Sequence, residues 1–491
     1  NQAKTTLETA INAAVKARTD FNAANGPLVT AYNDLKETLK NEESNLDLVM
    51  AAEFAAIKNN LDSLYQTAKT LVEGTLQPKM GNSPQVEVVS QANQAIVNAT
   101  QMLETRKNNA STLNTSFLKE TLKSASLSAA TGDGTTTIQQ QPGNYSFVAY
   151  ASDIASPNWN FAQRTVWTAD NRAWTSPLPN NSQNSAPLTD VSWIYTLSGA
   201  GAKYTLTFDY YGTQTGYLYF PYKLVKNADK NNIGLQYKLN QADPVAIQFS
   251  EAAATASAPA ETDGTQESAE TTTANEEVNP MPSVNTINVA KVTLTNLKYG
   301  SNTIEFSVPM DQDNMNKVAP MMGNIYITSS NDEANKKQIY DSIFGNTSVQ
   351  TASQTSVSVD LLKGYSLATS WRTYIRQFTG LTDNDAQISD PVYLIGLIGG
   401  SQNRILASVR NPMNTLNSPN VDNANRTFTI YVNAPVNGNY HISGAYLQGS
   451  NTARSLKFST GTSGSNNEVT VTGLMQSNWT TLGHFDTSKT T

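Results

Sequence analysis

The sequence predicts an α+β multidomain chain: an antiparallel helical bundle at the N-terminus, followed by two β-sandwiches of jelly-roll type. Three observations lead there. Apolar residues recur at steps of three and four over residues 1–128, and beyond Asn144 the spacing switches to alternation. Short alternating runs separated by Gly, Asn and Pro then follow one another, as antiparallel layers require. One strand pattern is also written twice. It reads Lys203–Phe208, Tyr210-Tyr211-Gly212 and Gly216–Phe220 in the first copy, and Asn439–Ser443, Ala445–Gly449 and Arg454–Phe458 in the second. Each copy reads as an antiparallel strand pair, preceded by a further strand at Ser192–Leu197 or Thr427–Val432.

In the helical part, Leu7, Ile11, Ala14, Val15 and Arg18 share one face, and Gly26-Pro27 predicts the end of that helix. Leu28, Tyr32, Leu35, Leu39, Leu46, Val49, Ile57, Leu61, Leu64, Ala68 and Leu71 continue the period. After the turn at Gly81-Asn82-Ser83-Pro84 it resumes with Val88, Ala92, Ile96, Ala99, Leu103, Leu113, Phe117 and Leu122. Such stripes pack against one another as three or four antiparallel helices. The bundle reads equally as a stalk or as a plain N-terminal domain.

Residues 129–143 form a turn-rich linker, and residues 144–330 hold enough strand candidates for the first sandwich. Within it, residues 251–283 carry seven carboxylates and no Lys or Arg among Ala, Thr, Ser and Pro. That composition buries too little apolar surface to offset ordering entropy, so it predicts a disordered surface loop. The loop suits an antibody-facing role or an inert insertion. Residues 331–385 read as a mixed helical connector, with helix expected around Lys336–Ile339 and from Leu361 to Ile375. Residues 386–491 form the second sandwich. It shows no counterpart of Lys298–Phe306 or of Pro320–Tyr326, which predicts a C-terminal truncation by about two strands.

The composition excludes several classes. Only 15% of residues are charged and the net charge is −7, with no basic run to hold phosphates, so no nucleic-acid partner is expected. There is no Cys, hence no disulfide and no thiolate chemistry, and two His cannot build a His-rich metal site. No apolar run is long enough to span a bilayer. The chain opens at Asn1-Gln2-Ala3-Lys4 without Met, signal peptide or lipid-acceptor Cys, which predicts a trimmed ectodomain. Sequons such as Asn98-Ala99-Thr100 arise by chance in a chain so rich in Asn and Thr.

The aromatic residues carry the chemical signal. Trp159, Trp167, Trp174 and Trp193 lie close together in sequence, and Tyr210, Tyr211, Tyr217, Tyr219 and Tyr222 follow. A sugar ring offers a face of C–H bonds that stacks on an aromatic plane, while Asn, Asp, Gln and Arg take its hydroxyls. The excursion from Trp167 to Trp174 supplies all of these, and Arg172 can pair with the carboxylate of a sialic acid. Trp193 lies inside a strand and reads as core, and core packing alone accounts for much of the cluster. Trp159, Asp170, Asn171, Arg172 and Trp174 are therefore the candidate glycan-binding residues. Asp311–Asn314 and Asp383–Asp385 begin like calcium loops but lack the Gly and Glu that complete them, so no metal is assigned. No Walker loop, HExxH or GxSxG is present, and no cofactor is expected. A glycosidase needs only two carboxylates across a cleft, which spacing alone leaves open.

Three long strings resemble the variable lipoprotein haemagglutinins of avian mycoplasmas, the VlhA/pMGA family. They are the helical opening NQAKTTLETAINAAVKARTDF with GPLVTAYNDLKETL, the pair LKYGSNTIEFSVP and APMMGNIYITSS, and NYHISGAYLQGSNTARSLKFSTG with NWTTLGHFDT. The resemblance covers the chain outside residues 251–283. It implies an antigenically variable surface lipoprotein on the extracellular face of the cell membrane. Its partners would be a host-cell glycoprotein or glycolipid and host antibodies, and its only membrane contact an N-terminal lipid anchor that this chain lacks. It carries over no site residues. The strand–Gly–strand repeat and YGSNTIEF also resemble galactose-binding-like carbohydrate modules. A glycan-blind display protein and a glycoside hydrolase are the rival readings.

Overall fold

The computed structural model describes residues 2–74, 84–130, 160–163, 165–167, 173–175, 191–251, 278–310, 317–361, 363–369, 371–378, 380–390, 392–399, 427–448, 451–460, 468–475 and 478–489. An N-terminal helical region is followed by a β-rich region of several sheets.

Helix α1 (Gln2–Leu39) runs straight through Gly26-Pro27, where the sequence predicted its end. Proline removes one main-chain donor and usually kinks or stops a helix. Here Leu28, Ala31, Tyr32 and Leu35 are buried in the turns just beyond it, and that packing outweighs the local penalty. Helices α2 (Glu42–Asp47), α3 (Ala55–Glu73), α4 (Val86–Gln101) and α5 (Leu103–Thr115) follow. Ile57, Leu61, Tyr65 and Ala68 of α3 meet Val89, Ile96 and Ala99 of α4 and the buried end of α1 in one core. Asn45 donates to the Tyr65 hydroxyl at 2.7 Å, and Lys69 pairs with Glu42 at 2.7 Å, which ties α2 onto α3.

The first strands are β1 (Leu118–Glu120), β2 (Leu127–Ser128), β3 (Phe161–Gln163), β4 (Thr165–Trp167), β5 (Ala173–Thr175) and β6 (Ser192–Ile194). Next come β7 (Lys203–Tyr210), β8 (Gly216–Lys223), β9 (Gln236–Leu239), β10 (Val245–Ala246), β11 (Phe249–Ser250) and β12 (Asn279–Pro280). Strands β13 (Asn288–Leu294), β14 (Gly300–Ser307), β15 (Met321–Met322) and β16 (Ile325–Thr328) complete this part. One sheet runs β1-β16-β8-β15-β6-β3 with β13 also on β8, and the other runs β10-β9-β14-β7-β2. Leu206, Phe208 and Tyr210 of β7 and Ile304 and Phe306 of β14 face Leu218, Phe220 and Tyr222 of β8 across a shared core. Burying each such side chain contributes roughly 1.5–3 kcal/mol.

The outer face of the first sheet is covered too. Trp193, Tyr219, Met321 and Tyr326 pack under Ile339, Ile343 and Phe344 of helix α6 (Glu333–Phe344) and under Tyr365 and Leu367. Trp193 is fully buried, as its place in a strand predicted. A sheet covered on both faces needs apolar residues in succession, which accounts for the run Tyr217-Leu218-Tyr219-Phe220 in β8. Helix α6 stops at Gly345, where φ is +67° and a Cβ would meet the Asp360 carbonyl at 2.4 Å, so only glycine fits.

The remaining strands are β17 (Asn346–Gln350), β18 (Thr355–Val359), β19 (Ser366–Thr369), β20 (Trp371–Phe378), β21 (Thr382–Asp383) and β22 (Ala386–Gln387). After them come β23 (Val392–Gly399), β24 (Thr427–Ile430), β25 (Ser443–Gln448), β26 (Arg454–Ser459), β27 (Glu468–Leu474) and β28 (Asn478–Asp486). In the segment from Leu361 to Ile375, expected as helix, the Lys363 and Gly364 N–H groups donate to the Asp360 carbonyl in a turn, and β19 and the first part of β20 follow as strand. Trp371, Tyr374, Ile375 and Phe378 recur at steps of three and four, as in a helix, but the segment is rich in aromatic and β-branched residues and pairs with β23 along its whole length, which makes it a strand.

The twice-written pattern holds, but its two strands are not partners. β7 pairs with β14 while β8 pairs with β13. In the later copy β25 pairs with β28 while β26 pairs with β27. Each copy therefore sends its strands to different sheets, so the expected hairpin is instead an arch. The inner rows Leu206/Phe208/Tyr210 and Leu218/Phe220/Tyr222 meet only if they oppose one another across a core. Two further expectations change with this. Asn439–Ile442 lies outside any strand, and β28 is the counterpart of Lys298–Phe306 that the later copy was expected to lack.

The acidic insertion is also shorter than expected. Residues 252–277 lie outside the described residues, but residues 278–283 are held in place. β11 and β12 pair in parallel, and Leu224 donates to the Ser283 carbonyl at 2.9 Å. Buried Asn279 bonds Lys291 in both directions, accepting from its N–H at 2.8 Å and donating to its carbonyl at 3.2 Å.

Candidate functional site

The tryptophan-rich excursion belongs to a sheet of its own. β4 and β5 form a hairpin whose register sets Val166 opposite Trp174 and Trp167 opposite Ala173. β4 lies parallel to β20, with Val166 beside Ile375 and Trp167 beside Arg376, and β20 pairs along its whole length with β23. The resulting order is β23-β20-β4-β5. Residues more than two hundred positions apart in sequence thus pair in one sheet. β3, which ends at Gln163, still belongs to the first large sheet, so the chain changes sheets within a couple of residues.

Of the expected glycan-binding residues, Trp174 lies in β5. Trp159, Asp170, Asn171 and Arg172 lie outside the described residues; the last three fall in the stretch joining β4 to β5. Successive positions along a strand alternate between faces, so Trp167 and Trp174 stand in different register rows. Sequence reasoning passed over Arg376, which the register brings beside Trp167. No local pattern signalled it, because the large apolar residues of β20 recur at steps of three and four as they would in a helix.

The tyrosines of the expected platform are largely structural. Tyr210, Tyr219 and Tyr222 are buried. Burial pushes the Tyr210 phenol up to about 12, and its hydroxyl donates to the Thr215 carbonyl at 3.1 Å. Burial raises Tyr222 further, and that hydroxyl donates to the Pro280 carbonyl. Tyr217 is half-buried beneath the Lys291 ammonium, 5.1 Å from its ring centre. Tyr211 stacks edge-on with Tyr299, and the Arg106 guanidinium lies over both rings at 5.6 and 5.5 Å. That cluster sits where α5 meets the β-layers.

The same joint is fastened at the end of α5, whose last carbonyls lack partners within the helix. Thr328 Oγ1 donates to Leu113 at 2.7 Å, and the Ser329 N–H donates to the same carbonyl at 2.8 Å. Asn335 Nδ2 donates to Asn114 at 2.8 Å and to Ser116 at 3.0 Å, and Gln338 Nε2 donates to Thr115 at 3.1 Å. Asn109 bonds the end of β7 with both amide atoms.

Elsewhere, Asn384 and Asp385 both have positive φ, at 47° and 65°. They are the two central residues of the turn between β21 and β22, where a tight hairpin demands that conformation. The acidic string Asp383–Asp385 is therefore a turn, and Asp383 faces His484 of β28 at 2.7 Å. The string Asp311–Asn314 lies outside the described residues. Among the described residues no cluster of three or more His, Asp or Glu could hold a metal ion, and no helix is long and apolar enough to cross a membrane.

The chain thus has an α+β architecture in which a helical region is fastened to a β-rich region of several sheets, with the hairpin of β4 and β5 on a separate sheet. Residues 117–491 match the family model described as Mycoplasma haemagglutinin, and the chain belongs to that family. Residues 31–104 match the FIVAR domain. No curated protein sequence matches the chain. Among solved structures, a GH115 4-O-methyl-α-glucuronidase with specificity for decorated arabinogalactans, BtGH115A, is 11% identical with a TM-score of 0.16. That match covers 60% of this chain and 34% of the enzyme, so the chain spans about a third of it. The viral chemokine binding protein R17, encoded by rodent gammaherpesvirus Peru, is 11% identical with a TM-score of 0.13 over 66% of this chain and 80% of that one. At such scores neither carries an argument about fold or activity.

Proposed function

We propose that the chain is a non-enzymatic adhesin on the outer face of the cell membrane that binds host-cell glycoproteins or glycolipids. Membership of a haemagglutinin family is the observation that carries this reading. The hairpin between Trp167 and Trp174, with Trp159, is the proposed contact. Trp174 stacks on a sugar ring, Asp170 and Asn171 take its hydroxyls, and Arg172 pairs with the carboxylate of a sialic acid. Sites of this shallow kind bind weakly one at a time. Many copies held on one membrane by lipid anchors raise the effective concentration for the second contact and give firm adhesion. The fastened joint between α5 and the β-layers suits a stalk, because it keeps the sheets from swinging freely. The acidic insertion between β11 and β12 is the proposed antibody-facing, antigenically variable loop.

The test is a glycan array probed with the whole chain. Binding to sialylated glycans that falls at least tenfold in Trp174→Ala and in Arg172→Ala supports the adhesin. An array without any bound glycan assigns the chain to antigenic display instead. Turnover of a chromogenic glycoside moves it to the hydrolases.

A further inference from the structure

The first two-thirds of α1 carry an apolar stripe that none of the described residues covers. Leu7, Ile11, Val15 and Phe21 are 62%, 52%, 60% and 53% exposed, although large apolar side chains on one helix face normally pack. The stripe is not separate from the core. Leu28 and Leu35 form one row of it, Ala31 the next, and these residues are buried against the other helices. Seven-residue steps back along the same helix lead from Leu28 to Phe21, Ala14 and Leu7, and from Ala31 to Ala24, Ala17 and Ala10. One continuous seam is therefore covered at its C-terminal end and bare over residues 2–25, a length of about 36 Å at the helical rise.

We propose that this bare seam pairs with the same seam of a second copy of the chain, the two α1 helices running antiparallel. Size complementarity decides the occupant and the direction. In an antiparallel pair the large row faces the alanine row: Leu7 meets the partner's Ala24, Ala14 meets the partner's Ala17, and Phe21 meets the partner's Ala10. Each layer then holds at most one large side chain, so the two helices keep an even separation. A parallel pair would stack Leu7 on Leu7 and Phe21 on Phe21 with alanine layers between them. The helices would be forced apart in some layers and left with voids in others. Charge agrees. The antiparallel register sets Arg18 opposite the partner's Ile11 and Asp20 opposite the partner's Ala13, and no like charges meet across the seam. The contact is isologous and closes as a two-fold dimer, with the two helical cores at opposite ends of the pair.

Sedimentation velocity of the whole chain over a hundredfold range of concentration tests this. A monomer–dimer equilibrium is expected, and Phe21→Asp is expected to leave only monomer with an unchanged melting temperature, because residue 21 lies outside the helical core. The chain has no cysteine, so introduced thiols report direction cleanly. Mixing Leu7→Cys with Ala24→Cys chains under mild oxidation is expected to give covalent dimer, while either variant alone gives none. A wild-type chain that stays monomeric throughout overturns the proposal. So does a dimer untouched by Phe21→Asp, or covalent dimer from Leu7→Cys alone, which reports parallel pairing. A monomer that co-sediments with phosphatidylcholine–phosphatidylglycerol vesicles through this stripe assigns it to a lipid surface and equally overturns the proposal.

Discussion

Asn296 and Gly473 hold the same place in two copies of one strand arrangement, and both have positive φ, at 62° and 73°. Asn296 sits between β13 and β14, and Gly473 stands at the end of β27 before β28. In each case the next residue, Leu297 or Leu474, is buried. The left-handed turn thus drops a leucine into the core as the chain passes from one sheet to the other. Asparagine and glycine are the residues that adopt this conformation most readily.

The turn residues should follow that preference. Asn296→Gly is expected to change stability little, whereas Asn296→Val and Gly473→Val should each cost about 1–2 kcal/mol through strain at positive φ. Urea unfolding of the three variants checks this; equal midpoints for all would contradict the shared geometry.

The joint between helices and sheets depends on Asn335. Its amide satisfies two terminal carbonyls of α5 and also donates to Thr328 Oγ1 at 3.0 Å. Asn335→Ala removes both bonds at a half-buried joint, which should cost about 1–3 kcal/mol. Hydrogen exchange should speed up along α5 and at the end of β7, where Asn109 anchors it, and not in α3.

Lys223 gives the fold a pH dependence. It lies fully buried in β8, its ammonium donates to the Leu224 carbonyl at 2.7 Å, and burial lowers it to about 7. Between about 7 and the ordinary lysine value near 10.5, the unfolded chain binds a proton that the folded chain does not. Stability should therefore rise with pH across that window, by roughly 1.4 kcal/mol per unit at most, and be lost as pH falls toward 7. Lys223→Met should flatten the slope and raise stability at neutral pH. Thermal melts from pH 6 to 10 would show an unchanged slope if Lys223 were not the cause.

The order of helices then sheets was legible because periods of three to four and of two differ sharply, and Trp193 was legible as core because it stands inside an alternating run. Partnering was not. The alternation of β7 and β8 says which residues face inward but not whether two strands lie side by side or across a core. Pro27 misled for a related reason: its local cost is visible in sequence, whereas the burial of Leu28, Ala31 and Tyr32 that outweighs it comes from distant helices. The parallel pairing of β4 with β20 joins segments too far apart for any local pattern to announce, which is why Arg376 escaped notice beside Trp167.

The most direct test of the account is adhesion itself: erythrocytes binding to beads that carry many copies of the chain, before and after sialidase treatment of the cells. Beads bearing the natural sequence should hold the cells, with binding lost after sialidase and in Trp174→Ala or Arg172→Ala chains of unchanged melting temperature. Equal adhesion by both variants would contradict a contact made through the hairpin of β4 and β5.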